Sequence, residues 1–183
     1  MKFLDKFLRN WRVKMCIPYI NTQDRVLDIG CLDGYLFQTL KVKSIQKSIG
    51  LDPLLQSVVR HENYVLIPGK FPEALLATDH FNCITMLAVL EHIPRQEQQK
   101  LNDECYTYLE PSGRVIITVP SPFVDHILWW LSKFRLIDGM SVEEHYGFKV
   151  KEVPQLFNSN QFKLIKHKKF QLGLNNLFVF EKQ

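Results

Sequence analysis

The sequence predicts an α/β protein, a doubly wound and mostly parallel sheet that ends in an antiparallel hairpin. Five short apolar runs read as buried strands: residues 25–30 (RVLDIG), 47–52 (KSIGLD), 63–67 (NYVLI), 81–87 (FNCITML) and 113–119 (GRVIITV). Helical spacing recurs between them, near 34–42, 53–60, 72–78 and 95–109. Strands apolar on both faces and separated by helices imply a parallel sheet covered on both sides. After residue 150 the pattern changes. KEVPQLFNSN reads as a short helix, and 162–171 and 176–182 as two strands joined by the turn GLNN. So short a turn requires antiparallel pairing, because a parallel crossover needs about a dozen residues.

Size and composition narrow the class. A chain of 183 residues fits one domain, 1–183, with a full core. The net charge of +4 gives only a weak pull toward acidic partners. Cys16, Cys31, Cys83 and Cys105 are widely spaced, without a CxxC pair, and no secretory leader precedes them. That usage suits reduced, buried thiols in a cytoplasmic protein. No run approaches the roughly 18 apolar residues of a membrane span, so the chain is expected not to cross a bilayer.

The first strand carries the most informative stretch, VLDIGCLDGYL at 26–36. Asp28 lies inside an apolar run, where a buried charge is costly unless something pairs with it. Ligands of doubly wound sheets sit beyond the carboxyl ends of the strands, where strand order reverses. Gly30 permits close backbone approach there, and Gly34 lets the chain enter the next helix. The amides at that helix start favour a negative group. Asp52 closes the next strand about 20 residues on, where a carboxylate meets ribose hydroxyls in nucleoside-binding folds. Taken singly, the glycines make a tight turn and Asp52 caps a helix starting at Pro53. Together, in a strand–turn–helix–strand context, they favour a nucleoside ligand.

VLDIGCLDGYL resembles the first motif of the class I S-adenosylmethionine-dependent methyltransferases, and SIGLDP their second-strand signature. FNCITMLAVLEHIP is similar to their fourth strand with its VLEH tail, and LEPSGRVIITVP to their fifth. The resemblance covers roughly residues 20–182. A dinucleotide dehydrogenase would instead show GxGxxG, where this chain has GCLDG. The resemblance implies a Rossmann-like sheet of seven strands and S-adenosyl-L-methionine as cofactor. It gives Asp28 the methionine ammonium, directly or through water. It passes Gly30, Cys31 and the backbone toward Gly34 under the methionine portion, and gives Asp52 both ribose hydroxyls. Leu51 and Pro53 would lie beside the nucleoside, and Phe71 near the adenine. Leu87 and Ala88 would approach the sulfonium through backbone atoms. Two residues depart from the pattern: Leu32 stands in place of a glycine, and Lys70 where an acid often meets adenine. They keep open a catalytically silent binding or scaffold protein of the same fold.

Methyl transfer needs mainly in-line positioning, and a hydroxyl acceptor gains from a general base, usually histidine. His145, in Glu143-Glu144-His145-Tyr146-Gly147-Phe148, and His92, in Leu90-Glu91-His92, are the candidate catalytic residues. For His92 the alternative is a helix-start residue that orders its loop, and for His145 a solvated loop histidine. His126 is a more distant candidate. The chain has no Asn-Pro-Pro-Tyr, Asp-Pro-Pro-Tyr or Pro-Cys motif, so a nucleic-acid acceptor is disfavoured. It also lacks the acidic cluster or His/Cys spacing of a metal site. Lys163, Lys166, Lys168 and Lys169, alternating with Phe162, Leu164 and Ile165, read as the solvent face of an edge strand.

Two amphipathic helices complete the reading. Over residues 1–20, Phe3, Leu4, Phe7, Leu8, Trp11 and Met15 form one stripe, with Lys2, Lys6, Arg9 and Arg12 opposite. This helix is expected to pack on the domain, as a lid over the cofactor, through its apolar side. The 121–148 segment reads as a substrate-side insertion. Within it, Phe123, Val124, Ile127, Leu128, Trp130, Leu131 and Phe134 share a face, and Trp129 falls opposite. An outward tryptophan suggests an acyl or isoprenoid substrate, a partner, or peripheral membrane contact through 122–137. Ubiquinone-pathway O-methyltransferases carry a similar hydrophobic excursion. The expected acceptor is a small or lipid-linked molecule, with an O-methyl product favoured.

Overall fold

The computed structural model describes residues 3–40, 47–121, 149–157 and 160–183. The elements run α1 (Phe3–Cys16), β1 (Val26–Ile29), α2 (Tyr35–Leu40), β2 (Ser48–Asp52), β3 (Val59–Arg60), β4 (Tyr64–Pro68) and β5 (Phe81–Leu87). There follow α3 (Arg95–Tyr108), β6 (Leu109–Pro120), a one-turn helix Val153–Leu156, β7 (Phe162–Phe170) and β8 (Asn175–Lys182). All eight strands form one sheet in the order β3-β4-β2-β1-β5-β6-β8-β7. Strands β4, β2, β1, β5 and β6 are mutually parallel, and β8 runs antiparallel between β6 and β7. Chain order therefore reverses at β1, flanked by β2 and β5.

Every residue of β1 and β2 is buried, because helices cover both faces of the sheet centre. One apolar cluster joins Leu27, Ile29, Ile84 and Met86 to Leu101 and Cys105 of α3 and to Phe157. The other joins Val26, Cys83 and Ile116 to Val13 and Cys16 of α1 and to Leu36, Phe37 and Leu40 of α2. All four cysteines are buried and free, as small hydrophobes. The α/β class, the parallel centre and the terminal hairpin are as the sequence predicts.

Four local expectations fail for identifiable reasons. Residues 53–60 form no helix. The Asp52 side chain and carbonyl capture the Leu54 and Leu55 amides at 2.9 and 3.3 Å, which closes a turn instead of starting a helix. The chain then returns as β3, a two-residue antiparallel edge strand, so the sheet has eight strands and not seven. Residues 72–78 are turns as well. Asp79 takes the Leu76 amide at 3.0 Å, and Leu76 is 71% exposed, so no apolar face forms to extend a helix.

The hairpin turn is Gln171–Leu174 rather than GLNN. Asn175 and Asn176 are buried in β8, where Asn176 Nδ2 donates to Ser121 Oγ at 2.9 Å. The edge strand β7 is exposed from Lys163 through Lys169, so Leu164 and Ile165 share the solvent with the lysines.

The orientation of α1 also differs from its apolar stripe. Val13 and Cys16 are its buried residues, Arg9 and Arg12 are half-buried, and Phe7 is 48% exposed. Trp11 and Met15 of the stripe pack against the core as expected, but the side bearing Arg9 and Arg12 is drawn in as well, over a surface that carries Asp33 and Glu91. Among the described residues no helix is long and apolar enough to cross a membrane.

Candidate functional site at the carboxyl edge of the sheet

Asp28 occupies the middle of the sheet, opposite Gly50 of β2 and Thr85 of β5. It is buried, and the Thr85 hydroxyl donates to its Oδ1 at 2.6 Å. Desolvation pushes the Asp28 carboxyl up to about 7; the Thr85 hydrogen bond opposes that rise, and the Asp52 charge adds to it. A carboxyl balanced near neutrality can take a cation while releasing a proton.

Asp52 is the last residue of β2 and is also buried. Its two oxygens organise the two loops beside it: Oδ2 accepts from the Leu32 amide and Oδ1 from the Leu54 amide, both at 2.9 Å. A carboxylate accepts about four hydrogen bonds, so each oxygen keeps capacity for a hydroxyl donor.

The turn between β1 and α2 closes against the same edge. Gly30 and Cys31 donate from backbone nitrogen to the Leu51 carbonyl at 2.8 and 3.1 Å, and Gly34 donates to Cys31 at 2.8 Å. Gly30 has φ +76, and a Cβ there would stand 2.4 Å from Val89 Cγ2. A side chain at this position would be strained in its backbone and would collide with Val89. Cys31 is buried against Gly50, where an added Cβ would lie 2.8 Å from its sulfur. Burial pushes its thiol well up, so it is a neutral packing group. Leu32 is exposed with φ +47. The turn thus keeps a left-handed conformation although leucine stands where the family pattern has a glycine.

The other predicted residues fall around this turn. Leu87 ends β5 and Ala88 follows with φ +63, its amide donating to the Thr118 carbonyl at 2.9 Å. Phe71 follows β4, half-buried with its ring edge-on to Tyr108 at 5.6 Å. It is linked to the site through Gly69, whose amide donates to the Asp52 carbonyl at 3.2 Å. Lys70 is exposed. His92 ends the short helix Leu90–His92, with its backbone bonded to Val89. His145, His126, Trp129 and the whole 122–148 segment lie outside the described residues.

Four contributors escape the sequence patterns. Thr85 is hidden in an apolar strand, and only its register with Asp28 reveals it. Leu54 contributes an amide from a stretch that reads as helix. Arg9 and Arg12 look like a solvent face, yet Arg9 donates to Asp33 at 2.7 Å and stacks 4.1 Å above Tyr35.

Comparison with known proteins identifies the family. A family model described as a methyltransferase domain matches residues 2–169. The chain belongs to the class I S-adenosylmethionine-dependent methyltransferase domain family. It is an S-adenosylmethionine-dependent methyltransferase, with S-adenosylmethionine as cofactor. Among solved structures it is similar to a chain of the complex between the Haloferax volcanii Trm112 methyltransferase activator and a candidate methyltransferase. That match has 14% identity and a TM-score of 0.72, covering 97% of this chain and 92% of that one. The N-methyltransferase NodS from Bradyrhizobium japonicum WM9 matches at 10% identity and TM-score 0.66, covering 97% and 96%. The PH0226 protein of Pyrococcus horikoshii OT3 matches at 15% identity and TM-score 0.65, covering 96% and 91%. At these identities the likeness concerns the fold. No curated protein matches the chain.

Proposed function

We propose that the enzyme holds its cofactor along the carboxyl edge of β1, β2 and β5 and methylates a small or lipid-linked acceptor, with oxygen as the favoured target atom. The carrying observation is the pair of buried carboxylates, Asp28 and Asp52, on neighbouring parallel strands either side of the Gly30 turn. They suit two parts of one ligand. Asp52, with spare acceptor capacity beyond the Leu32 and Leu54 amides, takes both ribose hydroxyls. Asp28 takes the methionine ammonium.

Gly30, Cys31 and Gly34 supply a backbone floor without side-chain obstruction, and Leu51 holds that floor through its carbonyl. Phe71 lies on the adenine side, while Leu87 and Ala88 border the reacting end. The bound cofactor supplies an electrophilic methyl group. The protein then has to align the acceptor, exclude water and receive the acceptor's proton. His145 is the first candidate for that proton and His92 the second.

Calorimetry with S-adenosylhomocysteine tests the cofactor reading. The folded wild type should bind it and should not bind NAD; the reverse result would overturn the assignment. On the acceptor side, His145→Ala should lower kcat toward hydroxyl acceptors at least tenfold with cofactor affinity unchanged. An equal loss on His92→Ala alone would move the role there. Trp129→Ala should reduce binding to anionic vesicles if the acceptor is lipid-linked, and unchanged co-sedimentation would favour a small soluble acceptor.

A further inference from the structure

The hairpin at the end of the sheet concentrates the charge of the whole chain. No acidic residue lies between Glu152 and Glu181, whereas β7 holds Lys163, Lys166, Lys168 and Lys169. Of the 23 lysines and arginines these four leave 19, which the 19 aspartates and glutamates balance. The formal net charge of +4 therefore resides in this one strand. Lys163 stands opposite Glu181, which also reaches Arg114 at 3.6 Å. Lys166, Lys168 and Lys169 stand opposite Val179, Leu177 and Asn176 instead. They are exposed, and none forms an ion pair among the described residues.

Lysines on an edge strand also keep other strands from pairing with it. That role does not account for the turn beside them. Gln171 and Leu172 adopt φ +51 and +57 in succession, a left-handed conformation unfavourable to residues other than glycine. Leu172 is nonetheless 95% exposed, so no packing of its side chain offsets that placement. Gln171 Nε2 donates to the Leu8 carbonyl at 2.8 Å, which fastens the turn to α1. Phe7, the neighbour of Leu8, is itself half exposed. Ser121 holds the turn from the other side, its amide donating to the Leu174 carbonyl at 2.8 Å and its hydroxyl to that of Gly173 at 2.6 Å. The exposed tip is thereby fixed beyond the end of β6, on the same carboxyl edge of the sheet as Asp52.

We propose that this tip and the lysines beside it dock the protein on an anionic lipid bilayer. Leu172 and Phe7 enter the interface, and Lys166, Lys168 and Lys169 meet the phosphates of the head groups. A bilayer takes both components at once, because apolar side chains reach the acyl boundary while cations stay at the anionic surface. A nucleic acid would meet the lysines but would give a protruding aliphatic tip nothing to enter. Docked in this way, the carboxyl edge of the sheet faces the membrane, where a lipid-linked acceptor resides. Such docking deepens the lipid-linked reading of the acceptor above, which Trp129 tests through a different segment, and attachment itself requires no cofactor.

Co-sedimentation of the full chain with phosphatidylcholine–phosphatidylglycerol vesicles, compared with phosphatidylcholine alone, provides the test. The wild type should bind the anionic vesicles far more tightly, and less so as salt rises. Lys166→Gln, Lys168→Gln and Lys169→Gln together should weaken binding about a hundredfold, and the corresponding arginine triple should keep it. Leu172→Ser leaves every charge in place and should weaken binding about tenfold. These positions are exposed, and a native thermal transition in each variant verifies the fold. Equal binding to neutral vesicles, no binding at all, or binding that Leu172→Ser leaves unchanged would overturn the proposal. So would tighter binding to single-stranded RNA that vesicles do not compete, which would give the lysines to a nucleic acid. Loss on Trp129→Ala with the hairpin variants unaffected would also overturn it, while leaving the lipid-linked acceptor standing.

Discussion

The Thr85 hydroxyl lies 2.6 Å from Asp28 Oδ1 and 3.3 Å from the Leu27 carbonyl, one hydrogen serving two acceptors. The arrangement responds to the proton on Asp28. An ionised Asp28 holds the hydroxyl hydrogen, whereas a protonated one releases it toward Leu27. The titratable groups that interact electrostatically with Asp28 are Asp52 on β2, Cys16 on α1, Cys31 in the turn and Cys83 on β5. The cysteine thiols stay protonated near neutrality, so Asp52 is the charge that matters.

A stability profile follows from this carboxyl. Its pKa is raised from 3.8 to about 7 on folding. Between those values the native state holds a proton that the unfolded chain has lost. The contribution is fully present below about 4 and disappears as pH rises toward 7. The slope from this group is at most about 1.4 kcal/mol per pH unit. Denaturant unfolding of wild type against Asp28→Asn should show the wild type losing ground across that window. Parallel profiles would refute the assignment.

Cofactor uptake should carry the same signature. If the ammonium replaces the proton on Asp28, S-adenosylhomocysteine should bind more tightly as pH rises to about 7 and then level off. Calorimetry in buffers of different ionisation enthalpy should report proton release on binding. Thr85→Val should move the midpoint upward, because the hydroxyl stabilises the ionised form, and Thr85→Ser should restore it. A midpoint indifferent to Thr85 would remove its role in tuning Asp28.

Asp52 should answer differently from an ordinary strand-end residue. Asp52→Ala removes the acceptors for the Leu32 and Leu54 amides as well as those proposed for the ribose. Affinity for S-adenosylhomocysteine should fall by about 1.5–3 kcal/mol, and stability should fall by about 1–3 kcal/mol. Thermal unfolding and calorimetry on one preparation would separate the two. Lost stability with unchanged affinity would make Asp52 a loop clamp only.

Period and punctuation in the sequence expose the sheet and its switch point, since β1, β2, β4 and β5 are short apolar runs, the first three with glycine or acid at their carboxyl ends. They do not expose the fate of 53–60. There the choice between helix and turn depends on Asp52, which spends both oxygens and its carbonyl on nearby amides. The same limit applies to α1. Its apolar stripe points to one buried face, but the acids of the surface it meets, Asp33 and Glu91, come from distant parts of the chain and draw in the arginine side. Thr85 is legible only once β1 and β5 are in register.

Leu32→Gly should behave as a relief of strain. The leucine is 46% exposed with φ +47, so it brings little burial and occupies a conformation that costs a non-glycine residue about 1–2 kcal/mol. Greater freedom of glycine in the unfolded chain returns about 0.5–1 kcal/mol of that gain. The variant should be more stable by up to about 1 kcal/mol in denaturant unfolding. A loss beyond about 1.5 kcal/mol would mean that the side chain packs in solution as a buried leucine does.

In the proposed cofactor floor, Gly30 is where an added Cβ would crowd a neighbour most, against Val89, and a double-mutant cycle should resolve the two components of that cost. Gly30→Ala puts a Cβ 2.4 Å from Val89 Cγ2 and imposes φ +76 on alanine. Steric overpacking should cost about 1–3 kcal/mol, and the left-handed conformation a further 1–2 kcal/mol or so. Val89→Ala in the same chain removes the colliding methyl and leaves the backbone cost. Stability of the double variant should therefore exceed that of Gly30→Ala alone, with a favourable coupling of about 1 kcal/mol or more. Affinity for S-adenosylhomocysteine should stay depressed in both, because the added methyl still stands on the surface that the cofactor must approach. Full recovery of binding in the double variant would show instead that Gly30 serves only to clear Val89, and that the cofactor does not pass over it.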